Sequence, residues 1–569
     1  MGAEYLAVVF TVAVTAATSL PLGRYIARVF TGQRTPLDPV LLPLERLVLR
    51  VARVDAAAEQ RWQQYARSLL ISNAVMWLTT WMMLMLQQRL PLNPDGIGNM
   101  EPTLAFHTIS SFTSNTNLQH YSGETGLSYL SQMFVVTFLQ FVTAATGIAA
   151  GIAVMRALAG SRIAGIGNFY ADLTRASVRL LLPLAMVVAV LLMWQGTPMT
   201  FAGAAPAVTL EGREQVIARG VTAPMVAVKQ LGTNGGGYFG PNSTHPFENP
   251  TPISNLVQTW AILVIPMAMV WTLGHIAGRR RLAVMLFGVM LALYVPMLIV
   301  GVAQEAAGSP AIARIGVDQS TGSMEGKEVR FGAALTALWA VSTTATSNGS
   351  VNGMHDSLTP LGGLMPMVGM WLNNVFGGVG VGFINMVIFV VVAVFLSGMM
   401  IGRTPELLGK KVEAREMKLA SLALLWHPLA VLAGTAIACV AWATTGDPDT
   451  ALGWLRNPGP HGFSEMLYEF SSAAANNGSG FEGLRDNTPF WNVSTGLVML
   501  LSRYIPIVAP LALAGSLAAK PAAPDTAGTL RIESGTFGFT LWAVILILGL
   551  LMFMPVAVLG PVAEYLMLR

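Results

Sequence analysis

Long apolar runs separated by short polar segments make up most of the chain. A helix needs roughly 20 apolar residues to cross a bilayer. By length and by the gaps between charged residues, we place ten such spans at about 5–22, 68–87, 128–151, 180–195, 255–274, 282–303, 384–402, 419–443, 493–516 and 538–559. The pattern predicts an all-α polytopic membrane protein with about ten transmembrane helices.

Four short polar sequences interrupt the apolar pattern about once per quarter of the chain. They are Ser114-Asn115-Thr116-Asn117, Thr233-Asn234-Gly235-Gly236, Ser347-Asn348-Gly349-Ser350 and Asn476-Asn477-Gly478-Ser479, here called turns 1 to 4. Their central asparagines, taken as Asn115, Asn234, Asn348 and Asn477, lie 119, 114 and 129 residues apart. Chance turns would not keep this spacing, so we predict an internal repeat.

Each turn follows a segment suited to a short helix and precedes an apolar span. The four short helices are expected at 103–112, 223–231, 330–344 and 463–474. A unit of span, short helix, turn and returning span would then occur four times within a single integral membrane domain covering 1–569. We expect its parts to be 1–67 (first span and cytoplasmic segment), 68–155, 180–278, 282–402 and 419–518 (repeats 1 to 4), and 538–569 (final span).

Turn 2 belongs to a stretch, 231–252, that is too rich in glycine and proline to hold a regular helix. Irregular backbone at membrane depth is tolerated only where protein or a water-filled path surrounds it. Taken alone, this stretch favours an ordinary extracellular turn over a re-entrant one. Four such turns around one axis, however, are what a cation filter built from rings of carbonyl oxygens requires.

Composition supports a membrane protein without a soluble domain. Charged residues make up 11% of the chain, against about 25% in a usual soluble domain. With the N-terminus outside, the inner loops hold 22 of the 33 lysines and arginines. This positive-inside excess predicts that both termini and all four turns lie on the outer side, and it explains the net charge of +4 without nucleic acid.

The sequence contains no recognisable means of using ATP. The segment 402–411 has six residues between its glycines where a phosphate loop has four, and the DKTG phosphorylation sequence of P-type ATPases is missing. We therefore expect no catalytic residue, no bound nucleotide and no hydrolysis by the chain alone. The histidines show no metal-binding spacing, so those near the turns are expected to be hydrogen-bonding loop residues: His120, His245, His355 and His461.

Two features suggest control of a path beneath the turns. The apolar segment 361–383 contains Gly377-Gly378-Val379-Gly380 and predicts a broken helix, which would be either a gate or a connection with no mechanical role. Arg503 lies near the middle of a span, where ionisable residues are usually functional. It could repel cations or pair with a carboxylate from another repeat.

Carboxylates also flank the turns at four positions. These are Glu248, Asp356, Glu465 and Glu482. They either enrich cations at the mouth of the path or are ordinary solvated loop charges.

Several sequences resemble one family closely: SNTNLQHYSGET, LGTNGGGYFGPNSTHPFENPT, SMEGKEVRFG, MHDSLTPLGG, IGRTPELLGKKVEAREMKL, NPGPHGFSE and GPVAEYL. The family is that of the potassium-binding, translocating subunits (KdpA) of the bacterial Kdp potassium-transporting ATPase. The resemblance extends from the first span to the C-terminus. It implies the fold of the potassium-transporter superfamily, with four membrane–pore–membrane units around one ion path.

The resemblance also implies which residues carry out transport. The potassium filter would consist of Ser114, Asn115, Thr116, Asn117, Thr233, Asn234, Gly235, Ser347, Asn348, Gly349, Asn476, Asn477 and Gly478. Gln119 would support the filter, and three turns would have glycine where turn 1 has Thr116. The filter would therefore be only pseudo-fourfold.

The implied cargo is potassium, and the implied setting is the bacterial plasma (inner) membrane. The implied partners are a P-type ATPase catalytic subunit, a single-span accessory subunit and a small single-span peptide. The alternative is a self-sufficient potassium channel or secondary transporter of the same superfamily. A membrane scaffold without transport would leave the four spaced turns unexplained.

Overall fold

The computed structural model describes residues 2–444, 453–524 and 530–568. Within these residues ten helices are long and apolar enough to cross a membrane, and each coincides with a predicted span. Spans 1 to 10 are Gly2–Phe30, Trp62–Arg89, Tyr129–Ala159, Phe169–Gln195, Pro252–Ile276, Arg280–Arg314, Val381–Ile401, Ala414–Thr444, Pro489–Ala519 and Gly535–Met567. The predicted fold class, an all-α polytopic membrane protein, is confirmed.

Four short helices lie between pairs of spans, close to the predicted positions. Short helices 1 to 4 are Pro102–Thr113, Thr222–Leu231, Gly332–Ala345 and Pro460–Ala475, and each leads directly into a turn. Pro102 and Pro460 open helices 1 and 4, where the missing backbone N–H costs no hydrogen bond. Glu101 caps the first, because its side chain accepts a hydrogen bond from the Leu104 N–H.

The remaining regular elements are short. Helices outside the spans are Asp38–Val51, Gly123–Gly126, the 3₁₀ helix Asn242–Thr244 and Pro360–Leu372, and π-helical segments interrupt spans 3, 4 and 10 at Gln132–Thr137, Ala176–Leu181 and Val558–Val562. Two antiparallel strand pairs are described, Ala205–Val208 with Glu214–Ile217 and Glu406–Leu407 with Lys410–Lys411. None of these elements contributes to the four turns.

The break predicted before span 7 is present. The helix Pro360–Leu372 ends at Asn373, which has a left-handed backbone (φ 46°), and span 7 begins after Gly380 (φ 100°). The intervening residues, 373–380, are here called the intramembrane loop. A Cβ on Gly380 would overlap the carbonyl oxygen of Gly147 in span 3, so only glycine allows the loop to approach that span so closely.

Span 5 lies at the centre of the bundle and span 10 at its edge. Within an apolar 18-residue stretch of each span, 78% of the residues are buried in span 5, whereas 17% of the residues are buried in span 10. Span 1 lies along span 5, and their backbones approach at Gly23, where a Cβ would be 2.7 Å from the Ala268 carbonyl oxygen. Two indole N–H groups of span 5 donate to span 1, Trp260 to Thr18 (2.9 Å) and Trp271 to Ser19 (3.1 Å). Small residues and such interhelical hydrogen bonds hold membrane helices together.

Candidate ion-binding site

The four turns meet in a closed ring. Gly235 of turn 2 packs against the Asn348 carbonyl of turn 3, Gly349 of turn 3 against that of Asn477, and Gly478 of turn 4 against that of Thr116 in turn 1. In each case a Cβ on the glycine would overlap the neighbouring oxygen. Turn 1 completes the ring by contacting turn 2: the Asn115 side-chain amide donates to the Thr233 carbonyl at 3.1 Å. Segments more than 100 residues apart thus converge on one axis.

Backbone hydrogen bonds show which residues of the turns are equivalent. In every turn one N–H donates to the carbonyl five residues earlier: Thr116 to Ser111 (2.9 Å), Asn234 to Lys229 (2.9 Å), Asn348 to Thr343 (2.7 Å) and Asn477 to Ser472 (2.9 Å). We call these four the middle residues. The alignment that placed Asn115 with the other three asparagines was therefore wrong by one residue. Turn 1 has asparagine on both sides of its middle residue, which made the sequence pattern ambiguous.

The residues on either side of each middle residue have left-handed backbone conformations. Those before it are Asn115, Thr233, Ser347 and Asn476, with φ between 46° and 62°, and those after it are Asn117, Gly235, Gly349 and Gly478, with φ between 60° and 107°. The expectation that Thr116 replaces the glycine was wrong, because Asn117 occupies that position. Asparagine is one of the few residues that enter this region at small cost.

The middle residues present carbonyl oxygens without hydrogen-bond partners. Thr116, Asn234, Asn348 and Asn477 are fully buried, yet their carbonyl oxygens accept no hydrogen bond from the residues that the structure describes. An unpaired buried carbonyl costs free energy. A dehydrated cation at the centre of the ring would supply the missing partner, because its ligands would be the oxygens that now lack one.

Side-chain amides behind turn 2 fix its backbone from outside the ring. Asn242 donates to the Gly235 carbonyl at 2.7 Å and Gln140 to that of Gly236 at 3.0 Å. Gln119 forms two hydrogen bonds with Gly237, donating at 3.0 Å and accepting at 2.7 Å. The sequence indicated Gln119 but not Asn242 or Gln140. A polar residue in the middle of the apolar run 138–142 was the available signal for Gln140.

A fully buried ion pair holds the same turn. Lys229 on short helix 2 contacts both the Glu248 carboxylate and the Asn242 side-chain oxygen, the latter at 2.7 Å. Burial, only partly offset by Glu248, lowers the pKa of Lys229. Glu248 and Glu465 are both buried. The interpretation of the flanking carboxylates as solvated loop charges is therefore wrong for these two residues. Removing one partner of a buried pair leaves an uncompensated charge.

The residues before the middle residues face a single cavity beneath the ring. Asn115, Thr233, Ser347 and Asn476 line it together. Gly378 and Val379 of the intramembrane loop and the side chains of His427 and Arg503 also line this cavity. The structure thus brings together the four turns, the broken segment and the lone arginine that the sequence singled out separately.

The intramembrane loop is attached directly to the turns. The Val379 N–H donates to the Thr233 hydroxyl at 3.0 Å, and the Ser347 hydroxyl donates to the Asn373 side chain at 2.9 Å. Gly378 faces the cavity, whereas Gly380 packs on span 3 and Gly377 packs against Gly382. The loop therefore lies directly beneath turns 2 and 3.

Arg503 is a buried cation beside this loop. Its side chain donates to the Thr143 carbonyl at 3.4 Å and forms no ion pair with any residue in the described ranges. The alternative that Arg503 pairs with a carboxylate from another repeat is therefore wrong within the described residues. Its guanidinium, which stays charged in proteins, contributes to the cavity wall.

The histidines near the turns form hydrogen bonds, as expected. His120 contacts Asn492 at 2.7 Å and Glu469 at 3.0 Å, which connects the segment after turn 1 to repeat 4. Burial opposes a charge on this ring, but Asp486 and Glu469 outweigh it and raise the pKa of His120 to about 9. His355, in the segment after turn 3, contacts the Tyr468 hydroxyl at 2.7 Å.

Comparison with known proteins identifies the family. The sequence model of the family described as "Potassium-transporting ATPase A subunit" (KdpA) matches residues 9–566 of this chain. The chain belongs to the KdpA family. The resemblance inferred from the short sequences is thereby confirmed.

Curated members of the KdpA family match over almost their whole length. The chain is 51% identical to proteins of Bacteroides fragilis and Bacteroides thetaiotaomicron, covering 100% of both chains in each case, and 49% identical to one of Geobacillus kaustophilus, covering 97% of both. All three are named potassium-transporting ATPase potassium-binding subunit. A solved structure, the potassium transporter TrkH from Vibrio parahaemolyticus, is similar at 15% identity with a TM-score of 0.49, covering 89% of this chain and 98% of that one.

Replacing Gly478 with alanine should damage the ring, whereas the same change at Gly480 should not. A Cβ on Gly478 would overlap the Thr116 carbonyl and would sit on a left-handed residue (φ 107°), whereas at Gly480 the nearest atom would be 3.6 Å away. The left-handed conformation costs an alanine about 1–2 kcal/mol of stability, and displacement of the Thr116 carbonyl should lower the potassium affinity by roughly tenfold. Titration of potassium into the purified protein measures this effect, and equal affinities for the two variants would contradict the ring geometry.

Proposed function

We propose that this chain is the potassium-selective binding and translocation subunit of an ATP-driven potassium uptake complex. The observation that carries the proposal is the ring of buried, unpaired carbonyl oxygens at the meeting point of four turns in a KdpA family member. The filter comprises the thirteen residues that the resemblance implied, with the middle residues as its central ligands. Neighbouring hydroxyls add polarity, since Ser114 contacts Thr116 at 2.7 Å.

Potassium selectivity follows from replacing a hydration shell. Several carbonyl oxygens must contact the ion at once, and residues without a bulky side chain let four backbones approach closely enough to supply them. Three of the ring contacts are made at glycines, whereas turn 1 has Asn117 at the equivalent position. We therefore expect fewer good binding positions along the axis than a ring of four identical turns would offer.

Energy for uptake comes from a partner in this proposal. The chain carries no phosphate loop or DKTG sequence, and curated family members are named as subunits of a potassium-transporting ATPase. The chain is thus a non-catalytic subunit that binds no nucleotide. It acts with a P-type ATPase catalytic subunit, a single-span accessory subunit and a small single-span peptide in the bacterial plasma (inner) membrane. Both termini and the four turns lie outside, where potassium enters.

A barrier beneath the ring prevents the uptake complex from leaking. An open selective pore would dissipate a gradient far faster than an ATP-limited cycle could build it. The intramembrane loop obstructs the cavity sterically, and Arg503 repels cations from its wall. Together they divert potassium sideways, towards the ATPase partner.

Gly235→Asp should weaken potassium binding and relax discrimination against sodium. The added Cβ would overlap the Asn348 carbonyl, and the carboxylate would put a full charge where a weak dipole now lies. We expect the apparent potassium affinity of the assembled complex to fall by at least about tenfold, measured as ATP hydrolysis against potassium and sodium concentrations. Gly98→Asp is the control, because a Cβ there meets no atom within 4 Å. Unchanged affinity in Gly235→Asp would remove this turn from the filter.

Removing the barrier should uncouple transport from ATP. Deletion of Gly377–Gly380, or Arg503→Ala, should produce potassium flux without ATP in proteoliposomes or hydrolysis without uptake. Arg485→Ala, an exposed arginine outside the spans, should leave coupling intact. If both variants at the barrier remain tight and fully coupled, the barrier lies elsewhere. ATP-independent selective flux through the unaltered chain would instead favour a self-sufficient channel or secondary transporter.

A further inference from the structure

A cluster of possible metal ligands lies beside the N-terminal end of short helix 4, outside the cavity beneath the ring. His461, Asp356 and Glu465 each offer one ligand atom, and these three atoms lie within 4.8 Å of one another. His461 and Glu465 are four residues apart on the helix, so they share one face. Asp356 comes from the segment after turn 3. Two repeats therefore contribute to the cluster.

The hydrogen bonds of His461 resemble those of a metal ligand. One ring nitrogen, Nδ1, contacts Glu564 at 2.9 Å, and the other, Nε2, contacts Asp356 at 2.9 Å. A histidine that binds a metal usually donates its second N–H to a carboxylate, which fixes the direction of the ring. Glu564, from span 10, occupies that position. Nε2 then points towards the remaining carboxylates of the cluster.

One carboxylate oxygen of Glu465 is buried and has no partner. Glu465 is fully buried, and its Oε1 accepts a hydrogen bond from the Asn457 amide at 3.2 Å, but its Oε2 has no hydrogen-bond partner. A buried carboxylate oxygen without a donor is costly. A bound cation would satisfy it.

Negative charge is in excess around this histidine. Glu482 adds a fourth carboxylate, which accepts hydrogen bonds from the backbone N–H groups of His355 (3.3 Å) and Asp356 (3.0 Å). No lysine or arginine in the described ranges pairs with any of the four carboxylates.

We propose that His461, Asp356 and Glu465 bind a divalent metal ion of the zinc class, with Glu564 orienting the imidazole. One imidazole with carboxylates suits Zn²⁺, whereas Mg²⁺ and Ca²⁺ prefer ligand sets made of oxygen alone. Asp356, His461 and Glu564 line an open cleft that provides an entry path and leaves room for water as the fourth ligand. Zinc ligands at about 2.0–2.2 Å lie roughly 3.3 Å apart, so binding requires the cluster to contract slightly.

A contact with Asp356 competes with the metal for this position. Nε2 of His461 lies 2.9 Å from an Asp356 oxygen, so the metal must replace this direct contact when it binds both residues. The bound ion would join the segment after turn 3, short helix 4 and span 10. The site is separate from the ring, and the proposal does not depend on the proposed transport function.

Zinc binding to the full-length chain, purified in detergent and washed with a chelator, tests the proposal. Calorimetry at pH 7 should show one Zn²⁺ bound at micromolar or lower Kd, whereas Mg²⁺ and Ca²⁺ should bind at least about a hundredfold more weakly. X-ray absorption at the zinc edge should show one imidazole nitrogen among oxygen ligands at about 2 Å. Absence of saturable zinc binding, or a coordination shell without an imidazole, would overturn the proposal.

Variants separate the cluster from incidental zinc binding elsewhere. His461→Gln should abolish the site, and Glu564→Gln, which leaves all three ligands in place, should weaken zinc affinity by about 10–100-fold. Glu325→Gln is the matched control, because Glu325 lines the same cleft without belonging to the cluster. If His461→Gln or Glu564→Gln bound zinc as tightly as the control, the assignment would be wrong. The spectroscopic result on the unaltered chain decides the matter even if His461→Gln fails to fold.

Discussion

Buried carbonyl groups without hydrogen-bond partners are the constraint on which the rest of this structure depends. Backbone that leaves helical geometry at membrane depth must find partners in protein, water or an ion. The middle residues of the four turns leave their carbonyls free, so the ring is stable only when the surrounding protein holds it in position. Amides from Asn242, Gln140 and Gln119 and the buried pair of Lys229 and Glu248 provide that support for turn 2.

Support is distributed unevenly around the ring. Each turn interlocks with the next, and side chains reach across the boundaries: Asn348 donates to the Lys229 carbonyl at 3.2 Å and Asn477 to that of Thr343 at 2.9 Å. The two residues are equivalent, as are the carbonyls that they reach, so the same bond occurs at turns 3 and 4. Turns 1 and 2 depart from this pattern, because the middle residue of turn 1 is Thr116 and that of turn 2, Asn234, donates to the Asn115 side chain. Duplication thus explains the backbone of the ring, whereas side-chain divergence makes it pseudo-fourfold.

Most of the fold could be predicted from the sequence because the bilayer imposes a length and an apolar character on every span. All ten spans, the four short helices and the break at 373–380 lie where these rules place them. The register of turn 1 could not be predicted, since asparagine precedes and follows its middle residue. Contacts across the bundle were also beyond reach: nothing local indicates that Glu248 pairs with Lys229 or that Arg503 lies beside Val379.

Anomalous X-ray scattering from crystals grown with rubidium in place of potassium tests the central claim most directly. Rubidium is a close substitute for potassium, and its position can be located without reference to activity. The account predicts a strong peak on the ring axis, surrounded by the carbonyl oxygens of Thr116, Asn234, Asn348 and Asn477. Peaks confined to the cavity beneath the ring or to the outer surface, with none between these oxygens, would contradict it.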